Sequence, residues 1–299
     1  MKKDRPSITA QGIAVARAIE AQKPEGVRIC YDPFARKFVS PFLWLLTKLF
    51  VDTGQAERSG PGVMDWLVVR ERFIDDYLLK SLDGGLEQVV ILGAGYDSRP
   101  YRFNLAKQGV KVFEIDHPAT QKDKIARLRR ILGELPAQVV FVPVDFNTQS
   151  LEQRLYESGY DPKAKTLFIW QGVVYYLQAE AVDNTLSFVA HHSAPGSSII
   201  FDYGYTWLIE QTRRGEIRRM RRARRFTGER LIFGIGEGTV EAFLQQRGFT
   251  RVQNTTTDDL RRLYLSGPNQ GRRLASGYAI ASASVLAGAS VLAEATVST

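Results

Sequence analysis

The sequence predicts an α/β fold: a doubly wound, seven-stranded, mostly parallel sheet of Rossmann-like type, with an antiparallel last strand and an N-terminal helical cap. Three observations carry this. Short uninterrupted apolar runs such as Val89-Val90-Ile91-Leu92 recur through the middle of the chain, as strands buried on both faces require. Segments of helical period separate them, the pattern of parallel strands joined by crossover helices. One run leads directly into Gly93-Ala94-Gly95, a bend at a strand's carboxyl end, where open α/β sheets bind their ligands.

In chain order, residues 1–82 read as the cap, with helices over 10–21, 41–50 and 61–81 lying across the sheet's carboxyl edge. The core covers residues 83–285, with strands at 88–92, 111–116, 138–145, 166–170, 197–203, 251–256 and 277–285. A basic insertion at 204–238 follows the fifth strand. The turn Ser266-Gly267-Pro268-Asn269 returns the chain as part of an antiparallel edge hairpin. In the last strand Tyr278, Ile280, Ser282 and Ser284 alternate with Ala279, Ala281, Ala283 and Val285, which gives it two faces. The uncharged stretch 274–293 is long enough to span a bilayer, but Ala, Ser and Gly dominate it and drive insertion weakly. No membrane segment is expected, and residues 286–299 read as a loose tail.

With 299 residues, 44% of them hydrophobic and 24% charged, the chain can build one large core, which excludes disorder and a short stapled scaffold. Its single cysteine, Cys30, has no internal partner, and the start Met-Lys-Lys-Asp-Arg-Pro carries no apolar signal stretch. A reducing cytoplasm is the expected location. The net charge of +8 is concentrated, because residues 213–225 hold eight arginines against Glu216 while the rest is nearly neutral. A DNA-wrapping protein needs a broader footprint, so no DNA partner is expected. The arginine run reads either as a solvated helix on the insertion or as a site for an acidic or carrier-bound substrate. No Cys/His spacing suits a metal. The oligomeric state is left open.

The chemistry starts at the glycines. Gly93 and Gly95 allow a tight turn and close approach of backbone to a ligand at a helix start. Asp116, twenty-one residues beyond Gly95, ends the second strand where a ribose diol is held, so the pair points to a nucleoside. Ser98 occupies the third glycine position of the dinucleotide fingerprint, which disfavours NAD and FAD. A period of about 100° per residue places Val63, Trp66, Leu67, Phe73, Ile74 and Tyr77 on one helical stripe with Arg70 in its middle, while Arg72 faces away with Asp65 and Asp76. A guanidinium on an apolar stripe requires an anion: either a ligand's carboxylate or a protein acid. The third strand ends at Asp145 and Phe146, which read either as an acceptor and a ring at a ligand-binding edge or as a helix cap and core, and the fourth ends at Gln171-Gly172 with Tyr176 beyond. Tyr176 and Tyr203, at or near strand tips, are the candidate substrate contacts, with core packing the alternative for Tyr203. His117, His191 and His192 read as turn and helix-end residues.

Taken together, Thr9-Ala10, Asp32-Pro33-Phe34-Ala35, Arg70-x-Arg72-Phe73, the stretch from Leu92 to Arg99, Asp116-His117-Pro118, Asp145-Phe146 and Gln171-Gly172-Val173-x-x-Tyr176-Leu177 resemble the leucine carboxyl methyltransferase-like family. The resemblance covers nearly the whole chain and implies a class I methyltransferase fold using S-adenosyl-L-methionine. It implies that Arg70 binds the cofactor's carboxylate, Gly93 and Gly95 its amino-acid end, Asp116 its ribose, and Asp145 and Phe146 its adenine. The family's usual residue at the fourth strand tip is Glu. Gln171 keeps the hydrogen bonds and loses the charge, so either binding is weaker or another acid compensates.

The resulting expectation is an S-adenosylmethionine-dependent O-methyltransferase acting on a carboxylate or phenolic hydroxyl of a small molecule by in-line transfer, with Tyr176 at the reacting end. The alternatives are a nicotinamide-dependent oxidoreductase and a basic RNA- or protein-binding member of the fold with little turnover.

Overall fold

The computed structural model describes residues 6–146, 149–214 and 230–286. Seven strands form one sheet: β1 (Gln88–Leu92), β2 (Lys111–Asp116), β3 (Val139–Pro143), β4 (Thr166–Trp170), β5 (Ser198–Gly204), β6 (Phe249–Thr256) and β7 (Tyr278–Val285). Their order is β3-β2-β1-β4-β5-β7-β6. β1 to β5 run parallel, and β7 is antiparallel to both its neighbours, β5 and β6. The doubly wound, mostly parallel sheet with an antiparallel last strand is therefore observed. β7 is inserted between β5 and β6, which leaves β6 at the edge. β6 starts two residues earlier than its sequence pattern indicates, because a bulge between Thr250 and Gln253, with Arg251 at φ 49°, breaks the alternation there.

Before the sheet come α1 (Ile8–Glu20), α2 (Pro41–Asp52), α3 (Gln55–Ser59) and α4 (Val63–Asp83). Ser7 caps α1 by accepting from the Ala10 amide, and Ser40 caps α2 in the same way at Leu43. The short α3 has no signal in the sequence. After β1 follow α5 (Arg99–Arg102), α6 (Pro118–Leu132), α7 (Leu151–Glu157), α8 (Ala179–His191), α9 (Thr206–Arg214), α10 (Val240–Gln245) and α11 (Thr257–Tyr264). Most of the arginine run and all but the first residue of the tail 286–299 lie outside the described residues. Among the described residues no helix is long and apolar enough to cross a membrane.

Alternation along the strands builds two cores. Val89, Ile91, Leu167 and Ile169 pack with Ala14, Val15, Val69 and Ile74 of α1 and α4, while Val90, Leu92, Phe168 and Trp170 pack with Leu186 and Val189 of α8. Each fully buried side chain of this size contributes roughly 1.5–3 kcal/mol. The N-terminal helices thus share a core with the sheet. α2 and α3 have no buried residue; Leu43 and Trp44 of α2 pack against the core while Phe42, Leu45 and Leu49 face solvent. The strand order reverses between β1 and β4, and the crevice beyond their carboxyl ends is where this topology leaves room for a ligand.

Candidate cofactor and active site

A cavity of about 620 Å³ occupies that crevice. Its wall brings together eight of the nine residues singled out from sequence: Arg70, Gly93, Gly95, Asp116, Asp145, Phe146, Gln171 and Tyr176. Tyr203 is the correction. It is fully buried on the opposite face of β5, and its hydroxyl donates to Asn254 Oδ1 at 3.1 Å. Neighbours on a strand point to opposite faces, and Asp202 takes the face toward α4, where it meets Arg70.

The glycine bend is built without tolerance for side chains. Gly93 has φ +70°, and a Cβ there would lie 2.4 Å from Val173 Cγ2, so the turn after β1 sits flush against the loop after β4. The Gly95 amide donates to Asp116 Oδ2 at 2.5 Å and the His117 amide to Oδ1 at 2.6 Å. Asp116 thereby ties β2's tip to the bend while its remaining lone pairs stay available on the cavity wall. Burial pushes its carboxyl above the ordinary range, and the two amides oppose this. His117 caps α6 through Nδ1, consistent with a role in the turn.

Arg70 finds a protein acid as the anion its stripe called for. Fully buried, it donates from Nη1 to Asp202 Oδ2 at 2.5 Å and to the Tyr175 hydroxyl at 3.2 Å. Its Nε and Nη2 have no hydrogen-bond partner. A protein acid therefore neutralises the guanidinium, and part of its donor fork is left over. Asp202 Oδ1 also accepts from the Gly172 amide at 2.6 Å, which fixes the β4 turn against Arg70. Sequence reasoning did not pick Asp202 or Tyr175. The available signal was a lone acid inside the apolar run Ser198–Gly204, near a strand tip.

Gln171 donates from Nε2 to Glu71 Oε2 at 2.8 Å, and its Oε1 is buried without a partner. Glu71 also meets Arg17 at 3.2 Å, Arg99 at 3.2 Å and Arg102 at 2.7 Å. Burial alone raises such a carboxyl, but Arg99, Arg17 and Arg102 outweigh it and hold Glu71 well below the usual range. Arg17 extends the network to the Tyr96 carbonyl at 2.6 Å and to Asp32 at 3.4 Å, which ties α1 to the glycine bend. Sequence reasoning missed this cluster, because its members come from five separate segments.

Tyr176 lies on the wall with its ring 4.7 Å from that of Tyr175. Beyond it, the end of the insertion reaches the β4 tip: the Ile232 and Phe233 amides donate to the Tyr175 carbonyl at 2.6 and 3.2 Å. This brings Arg230 and Ile232 to the wall. Among the described residues no cluster of His, Cys, Asp and Glu has the makings of a metal site.

The residues fit S-adenosyl-L-methionine. The spare guanidinium donors of Arg70 would suit its carboxylate, the unpartnered amide oxygen of Gln171 its ammonium, Asp116 its ribose diol, and Asp145 with Phe146 its adenine.

Comparison with known proteins agrees. The leucine carboxyl methyltransferase family model matches residues 10–190. A Mycobacterium tuberculosis protein assigned as an S-adenosyl-L-methionine-dependent methyltransferase is 30% identical over 284 residues, 88% of this chain and 89% of that protein. A protein from Mycolicibacterium paratuberculosis with the same assignment is 34% identical over 231 residues, 72% of each chain. The solved structure of a Thermobifida fusca protein described as a methyltransferase superposes with a TM-score of 0.54 at 14% identity, covering 95% of this chain and 96% of that one, a likeness of fold. The chain belongs to the leucine carboxyl methyltransferase family, and it is an S-adenosyl-L-methionine-dependent methyltransferase.

Proposed function

We propose, from this family membership and the shape of the site, that the chain is an O-methyltransferase that esterifies a carboxylate on a small molecule. Arg230 carries the reading. It stands on the cavity wall and makes no hydrogen bond or ion pair with a described residue. With Tyr176, Leu177 and Ile232 it forms the wall beyond β4, which among the described residues has one cation and neither a carboxylate nor an imidazole. The cavity's Asp97, Asp116, His117 and Asp145 belong to the glycine bend and the tips of β2 and β3.

That distribution favours an acceptor that arrives already charged. A carboxylate is ionised near neutrality and needs no base, whereas a phenol, with an ordinary pKa of about 10, needs one beside it. The cofactor, when bound, supplies a methyl group on a sulfonium. Arg70 holds its carboxylate, Asp116 its ribose hydroxyls, Asp145 and Phe146 its adenine, and Arg230 and Tyr176 orient the acceptor oxygen in line. Such alignment is the protein's main contribution, since well-oriented reactants reach effective molarities of roughly 10⁵–10⁸ M.

The test is transfer of labelled methyl from S-adenosylmethionine to a panel of carboxylic acids and phenols, followed by mild base. A methyl ester releases its label as volatile methanol; a methyl ether retains it. Base-labile product from the acids supports the reading, and base-stable product from phenols alone overturns it.

A further inference from the structure

Arg70 and Glu71 are consecutive on α4, both without exposed surface, and both reach the β4 tip. Arg70 meets the Gly172 side of the turn through Asp202, and Glu71 meets Gln171 directly. A carboxylate only accepts hydrogen bonds, so its contact at 2.8 Å dictates that Gln171 turns its NH₂ toward Glu71. The amide's oxygen then faces away, and it is the atom found buried without a donor. Buried polar atoms in folded proteins are nearly always paired, so an unpaired acceptor on a cavity wall marks where a ligand's donor arrives. In the same wall, Arg70 Nη2 is a buried donor without an acceptor. The free donors of Arg70 and the free acceptor of Gln171 match the two ends of an α-amino-acid zwitterion.

We infer that Glu71 is a positioning residue for cofactor binding: by holding the amide nitrogen of Gln171, it fixes the amide oxygen as the acceptor for the cofactor's ammonium. The site then keeps a negative charge one hydrogen bond behind a neutral contact atom. Three arginines hold that charge in place, so Glu71 does not depend on the ligand for neutralisation. This arrangement supplies the compensating acid that Gln171 called for. The inference rests on the cofactor's amino-acid end lying against Gln171, and its test separates the two claims.

The experiment is calorimetric titration of the full chain with S-adenosylhomocysteine and with its desamino analogue, in which hydrogen replaces the ammonium. Glu71→Gln removes the fixed polarity, because two amides pair in either orientation. Its affinity for S-adenosylhomocysteine is expected to fall roughly tenfold, and for the desamino analogue less than about twofold. The exchange Glu71→Gln with Gln171→Glu keeps the charge count and restores a fixed acceptor at 171, so its preference for the ammonium-bearing ligand is expected to match or exceed the wild type's. Equal loss for both ligands in Glu71→Gln, or no loss for either, overturns the role of Glu71. If Glu71→Gln does not fold, the exchanged variant decides alone, and a folded exchanged variant that binds both ligands equally overturns it. A wild-type chain that binds the desamino analogue as tightly as S-adenosylhomocysteine removes the premise about Gln171 instead.

Discussion

Arg70 of α4 and Asp202 of β5 meet across the interior at 2.5 Å, Nη1 to Oδ2, with neither side chain exposed. This ion pair holds Arg70, proposed above as the donor to the cofactor's carboxylate, against the turn that carries Gln171. A buried pair contributes little net stability over an apolar replacement, but breaking it leaves an uncompensated charge that costs about 3–5 kcal/mol. Asp202→Ala is therefore expected to lower unfolding free energy by about that amount in urea. The joint change Arg70→Met with Asp202→Leu is expected to unfold near the wild-type midpoint and to bind no S-adenosylhomocysteine. Equal loss of stability in the joint variant would contradict this separation of folding from binding.

Gly93→Ala combines a backbone penalty with a collision. The φ of +70° costs a residue with a Cβ about 1–2 kcal/mol, and Val173 Cγ2 stands 2.4 Å from where that Cβ goes. Thermal unfolding of Gly93→Ala is expected at a clearly lower temperature. Adding Val173→Ala removes the collision but not the strained φ, so about half the loss is expected to return. Full recovery would show that φ matters little there, and no recovery that Val173 is not the obstacle.

Several of these features were legible in the sequence, and the exceptions have two causes. Buried strands announce themselves as apolar runs, and the period of α4 put Arg70 on the inward stripe and Arg72 outward, where it pairs with Asp76 at 2.8 Å. Gly93 was legible because only glycine suits a bend directly after a buried strand. Tyr203 was misplaced because nearness to a strand tip does not tell which face a residue takes, and one position separates Asp202 in the site from Tyr203 in the core. Glu71 and Asp202 were invisible as partners because pairing depends on which segments the fold brings together. The fold links Glu71 to Gln171, one hundred residues away.

Glu20 gives the chain an acid-sensitive clasp. Its carboxylate accepts from Arg272 at 2.7 and 2.9 Å, meets Lys23 at 2.8 Å and accepts from the Ile29 amide at 2.8 Å. Burial acts to raise its carboxyl, but these donors outweigh it and the pKa is lowered from 4.5. A depressed carboxylate contributes stability that is complete above its unfolded value and is lost as pH falls through the folded one. Glu20→Gln is expected to lose stability at pH 7 and to show a shallower decline below about pH 4.5 than the wild type, measured by urea midpoints. Parallel pH profiles would exclude Glu20 as a contributor.

Cys30 is buried, and its thiol is pushed well above the ordinary range, by burial first and then by Glu71 and Asp75. The thiolate is the reactive form. A coloured disulfide reagent at pH 8 is expected to leave the native protein unmodified and to titrate one thiol after denaturation. Rapid labelling of the folded chain would mean that α1 and its following loop open readily.

The most direct test of the whole account is the affinity of the wild-type chain for S-adenosylhomocysteine against that for the same molecule lacking its carboxylate. A charged hydrogen bond of about 1.5–3 kcal/mol makes the expected preference for the intact molecule roughly 10- to 100-fold. Equal affinity for the two would mean that the unpartnered donors of Arg70 do not grip the cofactor, and the site as described would be wrong.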